Sequence, residues 1–344
     1  TPEDFLVEEL PAYLPQGEGE HVYVFIEKRD LSTQEAIRAL AQHLHLREAD
    51  VGAAGQKDRQ AVTRQWLSLP PGAGPRSDDA LDPATLTGMT LELPRGALTI
   101  LEASRHRNKL RTGHLRGNRF TLTLRGVSDA DALPRAQAVL AALRASGVPN
   151  RYGDQRFGHD GRNASDGLRM LRGELKIADR FRRRFLVSAL QSDLFNRYLD
   201  ARLRDGLLAT VLPGDVLQKR ESGGIFTVAD EEIAATQARL DSGELAITGP
   251  MFGGRMRAPT EGSAAAAREA AALATLTPDE AAQQELFRAM GPLAEGTRRP
   301  LLVALGGEDP FVTPHPEDPA ALVLRFSLPP GSYATVVLAE VMKT

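Results

Sequence analysis

Strand-like alternation at both ends of the chain, with helical spacing between, constrains this sequence more than any other feature. Residues 21–28 place Val22, Val24 and Ile26 on one face and Tyr23 and Phe25 on the other, which is the period of a half-buried strand. Leu322, Leu324, Phe326 and Leu328 alternate in the same way near the end, before a Pro329-Pro330-Gly331 turn and an apolar helix over Tyr333–Met342. Further strands are expected at Val62–Leu69, 97–103 and 120–125, and Asp4–Glu9 reads by itself as an edge strand. Ser32 and Glu35 form a capping box, and Ile37, Leu40, Ala41 and Leu44 then share one helix face. A helix carrying Ala132, Leu133, Val139, Leu140 and Leu143 ends near Gly147-Val148-Pro149.

The pattern breaks there. Residues 148–168 hold Gly153, Gly158, Gly161 and Gly167 with few apolar anchors. Leu186, Leu190, Leu194 and Leu199 then lie on one long helix, and 263–275 is Ala-rich. Thr277 is the expected N-cap of a helix opening Pro278-Asp279-Glu280. Short strands are expected around 216–218, 225–228 and 301–305. A chain of 344 residues suits two domains at roughly 150 residues each.

Composition narrows the function classes. There is no cysteine, which removes disulfides, thiolate metal sites and cysteine nucleophiles. No stretch approaches the ~20 apolar residues of a membrane span. The opening Thr1–Phe5 has neither the basic nor the apolar region of a signal peptide, and without Met it predicts residues upstream. The His residues are scattered, and His43 and His45 fall on different helix faces, so no metal site is expected. The formal charge is −3, yet residues 95–125 hold eight Lys/Arg against Glu102 alone, and 151–184 hold ten against five acids, including Arg180, Arg182, Arg183 and Arg184. Two basic stretches in an acidic chain have the form of a phosphate-binding face; each taken singly also reads as a solvated surface.

Three segments concentrate polar chemistry. Gly52–Thr63 is a small-residue turn leaving Asp58 just before a strand, between Lys57 and Arg59. Cationic neighbours keep a carboxylate ionised, and an ionised Asp is a usable nucleophile; alone, the segment also reads as a turn with a solvated Asp. Arg105–Phe120 is basic and ends in an aromatic. Arg107, Lys109 and Arg111 suit phosphates, Phe120 suits a base face and Asn118 a base edge, although Phe120 also shares a strand face with Leu122 and Leu124. Pro149–Gly158 interleaves Arg151 and Arg156 with Tyr152 and Phe157, as either an RNA-backbone contact or an aromatic staple at a domain junction.

Together these residues resemble the tRNA pseudouridine synthase D (TruD) family. The matching motifs are Pro2-Glu3-Asp4-Phe5 with Glu9; Ala54–Arg59 followed by Ala61-Val62-Thr63 and Gln65-Trp66-Leu67; Lys109-Leu110-Arg111 with Gly117-Asn118 and Phe120; Val148-Pro149-Asn150 with Tyr152-Gly153 and Gln155–Gly158; and Arg325-Phe326 with Leu328-Pro329 and Gly331-Ser332. They fall in order and span nearly the whole chain. The resemblance implies an α+β fold: a pseudouridine synthase catalytic domain, a mixed sheet flanked by helices, formed by 1–147 and 309–344, with an α/β TRUD domain inserted over 148–308. It implies isomerisation of uridine to pseudouridine in tRNA, at position 13, without cofactor or metal, by a cytoplasmic enzyme; the sequence does not fix the oligomeric state, a monomer being slightly favoured. Asp58 matches the family's nucleophile, and Phe5, Asn118 and Phe120 match positions that contact the target nucleotide. Lys57, Arg107, Lys109, Arg111, Arg151 and Arg156 are candidate RNA contacts. In the family a basic residue and a glycine shortly precede the first motif; the sequence begins at Thr1, after the place where they would stand, and activity would be in doubt if they were missing. A non-catalytic RNA-binding protein would share the basic stretches but not need Asp58. A metal-dependent nuclease would need a carboxylate cluster, for which Asp78, Asp79 and Asp82, in an exposed-looking loop, are the only candidates.

Overall fold

The computed structural model describes residues 1–72 and 81–343; Asp78 and Asp79 lie outside the described residues. In chain order the first part forms β1 (Phe5–Pro11), β2 (His21–Arg29), α1 (Thr33–His43), β3 (Gly52–Ala53), β4 (Val62–Leu69), α2 (Pro83–Leu86), β5 (Thr90–Leu93), β6 (Gly96–His106), β7 (Leu115–Arg125) and α3 (Ala132–Ser146). The middle forms β8 (Val148–Pro149), α4 (Asn163–Leu171), α5 (Arg180–Arg204), β9 (Val216–Lys219), β10 (Ile225–Thr227), α6 (Ile233–Asp241), β11 (Leu245–Met251), α7 (Ala264–Ala274), α8 (Glu280–Met290), β12 (Thr297–Pro300) and β13 (Leu302–Val303). The chain closes with β14 (Gly306–Pro314), β15 (Ala321–Leu328) and α9 (Ala334–Met342). Two compact units result: Thr1–Ser146 with Ala304–Ala334 and Val341–Lys343, and Gly147–Val303 with Thr335–Glu340.

The first unit is a nine-stranded sheet in the order β14-β15-β7-β1-β4-β2-β6-β5, with β3 beside β4. It is mixed, because β1 runs parallel to β4 and antiparallel to β7. The alternation read in 21–28 has a direct consequence: Val22, Val24 and Ile26 join Leu67, Leu69, Leu98 and Ile100 under Ile37, Leu40 and Ala41 of α1. The capping box forms, with Ser32 accepting from the Glu35 amide and Glu35 returning to the Ser32 amide. Residues 4–9 are not an edge strand: β1 lies inside the sheet, between β7 and β4. Its carboxylates are tolerated there because each is paired. Along one register row, Glu27, Arg64, Glu8 and Arg119 stand side by side on successive strands. Arg64 bonds Glu27 at 2.8 Å, and Arg119 bonds Glu8 at 2.8 Å.

The second unit is built on α5, whose inward stripe of Phe195, Tyr198 and Leu199 packs with Leu217, Ile247 and Leu301. Its sheet runs β10-β9-β11-β12. The central strand β11 is buried at every residue, so it lacks the alternation that announces a strand, and Gly249-Pro250 reads as a break. α8 starts later than expected: its N-cap is Asp279, which accepts from the Ala281 amide, while Thr277 sits outside the helix. Deep in this unit Arg202 is fully buried. Its guanidinium meets both oxygens of Asp215 (2.7 and 3.1 Å) and the carbonyls of Leu207 and Thr210. Among the described residues no helix is long and apolar enough to cross a membrane.

Removing one partner of such a pair strands a buried charge at a cost of about 3–5 kcal/mol. Asp215→Ala should therefore destabilise the protein by about that amount in urea unfolding, while Arg202→Met combined with Asp215→Leu should recover much of the loss. A single variant as stable as wild type would show that Arg202 finds water instead.

Candidate active site

The loop 54–61 carries Asp58 and has almost no apolar content, so its order comes from polar contacts with the sheet. Ala54 and Ala61 are buried at its two ends. Thr33, the first residue of α1, accepts from the Lys57 amide at 2.8 Å and donates to Gln65 Oε1 at 2.8 Å. Gln65 Nε2 then donates to the Gly55 carbonyl. Lys28 Nζ donates to the Asp58 carbonyl at 2.9 Å and to the Leu31 carbonyl. Lys57 Nζ meets Glu9 Oε2 at 2.7 Å, with side-chain exposures of 4% and 0%. The second oxygen of Glu9 accepts from the Trp66 amide.

Lys57 is thus a correction to the sequence reading. Its ammonium is buried against Glu9 and holds the loop, so it is not placed to contact an RNA phosphate. The other flanking cation, Arg59, pairs with Glu35. Hydrogen bonds from the Ser32 amide and hydroxyl, then from Arg59, hold the Glu35 carboxyl down at about 2. Asp58 itself is exposed, and among the described residues no side chain bonds its carboxylate.

Register places the other candidate residues on the sheet face to which this loop is tied. Val7 stands opposite Phe120, and Glu9 opposite Asn118. Phe326 stands opposite Phe120 across the next strand, and Leu328 opposite Asn118. Successive strand residues alternate faces, so Phe5, Val7, Glu9, Asn118, Phe120 and Phe326 form one floor. Phe120 meets Phe5 edge-on at 6.3 Å and Phe326 at 5.5 Å; it is 6% exposed. Gly117 lets the strands close up: a Cβ there would lie 2.3 Å from the Leu328 carbonyl. The Asn118 Oδ1 is buried and has no hydrogen-bond partner among the described residues.

The candidate cations divide. Arg107 is exposed and paired with Glu18. Lys109 donates to the Ala49 carbonyl at 2.8 Å, and the Arg111 side chain is exposed without a partner among the described residues. In the second unit, Arg151 pairs with Asp200, and Arg156 spends its guanidinium on Ser188 and Ser192, over the rings of Tyr152 and Phe185. Arg180, Arg182, Arg183 and Arg184 are exposed at the start of α5, where cations oppose the helix dipole. The sequence reading did not single out Lys28 or Thr33, and gave Gln65 no role beyond its place in a motif. A signal was present, since Lys28 continues the 22, 24, 26 phase and Gln65 shares a face with Leu67 and Leu69, so both are polar groups on an apolar face.

The chain matches a family profile described as tRNA pseudouridine synthase D (TruD) over residues 1–181 and 169–341. It is 45% identical over 354 residues to a tRNA pseudouridine synthase D of Anaeromyxobacter, covering 100% of this chain and 91% of that one. It is 41% identical to one from Thermus thermophilus, covering 99% and 87%. A crystal structure from Methanosarcina mazei bearing the same family name superposes with a TM-score of 0.77 at 23% identity, covering 100% of this chain and 92% of that one.

Burial lowers the Lys28 ammonium to about 8, the nearby Asp58 charge only partly opposing the shift, while an ordinary lysine titrates at 10.5. Between these values the unfolded chain holds the proton that the folded chain has lost, so this group makes stability rise as pH goes from about 8 to 10.5. The cost of burying the charge is fully present below 8. Lys28→Met should remove this component from urea midpoints measured across that window. An identical slope in both proteins would mean that Lys28 is not desolvated.

Proposed function

Because the chain belongs to the tRNA pseudouridine synthase D family, we propose that Asp58 is the nucleophile on a uridine that is flipped out of its tRNA, at position 13, onto the floor formed by Phe5, Asn118 and Phe120. The protein is an isomerase that converts uridine to pseudouridine in tRNA. Substrate and product have the same atoms. The N1–C1′ bond breaks, a C5–C1′ bond forms, the C5 proton leaves and N1 takes up a proton. No co-substrate is consumed.

The observation that carries the site assignment is the buried, unpartnered Asn118 Oδ1 beside the Phe120 ring, on the face to which Lys57 and Glu9 tie the Asp58 loop. Uracil presents an N3–H donor that this oxygen accepts, and a ring face that an aromatic floor holds. Flipping costs a few kcal/mol, and stacking offsets about 1–3 kcal/mol of it. The exposed Asp58 carboxylate stays available because its backbone, not its side chain, is bonded to Lys28. Residues 1–147 with 309–344 are the proposed catalytic domain, and 148–308 the proposed TRUD insertion.

A non-catalytic RNA binder has no use for a carboxylate held in this way. Tritium release from tRNA labelled at C5 of uridine separates the two, since C5 loses its hydrogen on becoming the glycosidic carbon. Asp58→Asn should lower release by ~10⁴-fold or more while tRNA binding stays close to wild type. Near-normal release would remove Asp58 from the nucleophile role. Phe120→Leu, which keeps the apolar floor, should reduce turnover more than tRNA affinity; equal losses would make Phe120 a core residue only.

A further inference from the structure

A second feature of the first unit is not used by this chemistry. An open cleft of about 570 Å³ is lined by Tyr13, Gln16, His106, Asn108, Lys109, Arg111 and His114. None of these residues is acidic, and the volume falls in the range of small-molecule sites. Tyr13 is 37% exposed although it is a large aromatic. Its ring stacks on His106 at 5.1 Å with an interplanar angle of 17°. Behind them Tyr23 lies against His106 at 4.6 Å, so the exposed ring rests on a rigid aromatic stack.

The polar groups around this stack are left open. His114 Nδ1 accepts from the Arg111 amide at 3.4 Å and lies 2.7 Å from the Tyr13 hydroxyl. An imidazole nitrogen that accepts from an amide leaves the neutral ring's proton on the other nitrogen, so Nε2–H is a donor without a partner among the described residues. His106 is 6% exposed, and its Nδ1 is buried and unpartnered. Burial, then the neighbouring His21 and Arg107, push the His106 pKa down. The side chains of Gln16, Asn108 and Arg111 have no hydrogen-bond partner among the described residues, and Lys109 spends one bond on Ala49.

We propose that this cleft is a second nucleotide subsite, taking an unstacked nucleotide of the RNA substrate with its base on Tyr13 and its phosphate on Lys109 and Arg111. A basic groove with an aromatic platform is the arrangement that holds single-stranded RNA, while Gln16 and Asn108 offer amides to a base edge. The subsite is mechanically joined to the Asp58 loop. The Gly113 amide donates to the Ala54 carbonyl at 2.8 Å, and the Leu110 amide donates to Ser68 Oγ on β4 at 2.9 Å. Asp58 follows Ala54 by four residues, a span of at most ~14 Å, so the second nucleotide lies within a few positions of the target. Its capture holds the strand open beside the flipped uridine. The inference rests on the chain's acting on RNA.

The test is tRNA affinity by filter binding across a salt series, with C5 tritium release measured alongside. Tyr13→Ala should weaken tRNA binding about 10-fold or more, whereas Tyr13→Phe, which keeps the ring and loses only the hydroxyl, should bind as wild type. Arg111→Ala should reduce the slope of log K against log salt by about 0.7–0.9, the share of one phosphate. Wild-type affinity in Tyr13→Ala, equal losses in the Ala and Phe variants, or an unchanged slope in Arg111→Ala would each overturn the subsite. Failure of the enzymatic reading looks different, since the wild type itself would then release no tritium.

Discussion

The buried ion pair between Glu9 and Lys57 is the contact on which the site depends. It joins the middle of a central strand to a loop 48 residues further along the chain. Desolvating two charges costs several kcal/mol per ion, and the cost is recovered only when every lone pair is used. Here both Glu9 oxygens are engaged, one by Lys57 and one by the Trp66 amide. The loop between β3 and β4 is too polar and too short of apolar side chains to be held by burial. Its position is fixed by Lys57 on Glu9, Thr33 on the Lys57 amide, Gln65 on Gly55 and Lys28 on Asp58. Each bond reaches the loop's backbone or its one inward side chain. The Asp58 backbone is therefore held while its carboxylate is left unbonded among the described residues, as the role proposed for it would require.

The two faces of the sheet divide the work. One carries the Glu27, Arg64, Glu8 and Arg119 row, in which charges of opposite sign alternate from strand to strand, an arrangement that cross-strand neighbours favour. The other carries the aromatic floor and the tied loop. This division revises the meaning of the basic segment from 95 to 125. Arg119 and Arg125 are matched by Glu8, Asp4 and Asp318, acids brought from other parts of the chain. The positive charge left for a ligand is smaller than the sequence count, and in this unit it gathers about Lys109 and Arg111, where no lining acid cancels it.

What was legible in the sequence follows from the range of the interactions involved. Alternation is local, so the strands at 21–28, 62–69 and 322–328 could be read, as could the Ser32–Glu35 capping box. β11 could not, since a strand buried on both faces has no period and Gly249-Pro250 imitates a turn. The interior place of β1 was hidden for the opposite reason: Glu8 and Glu9 look like edge residues until Arg64, Arg119 and Lys57 arrive from 48 to 111 positions away. Lys57 was misread by the same blindness. Its neighbours in sequence suggest a solvated cation, and only the fold supplies Glu9. Asp58 stood out in the sequence only in company, through several different family motifs that fall in order along the chain.

In the proposed complex, selectivity for uracil would follow from a cost carried by the free protein. A buried acceptor without a donor destabilises the fold by about 1–3 kcal/mol, and Asn118 Oδ1 is such an acceptor. In the proposed complex the N3–H of uracil relieves it. Cytosine has no hydrogen at N3, so a flipped cytosine would leave the oxygen unpaired and bring a second acceptor against it. Sites built to bond a polar group reject the analogue lacking it far more strongly than apolar pockets reject a change in shape. Phe120 and Phe5 would stack on either pyrimidine with similar strength, so in that complex the floor would supply affinity and the amide would supply choice. Gly117, within β7, would belong to the same device, because its missing side chain lets β15 close against β7 beside the Asn118 oxygen.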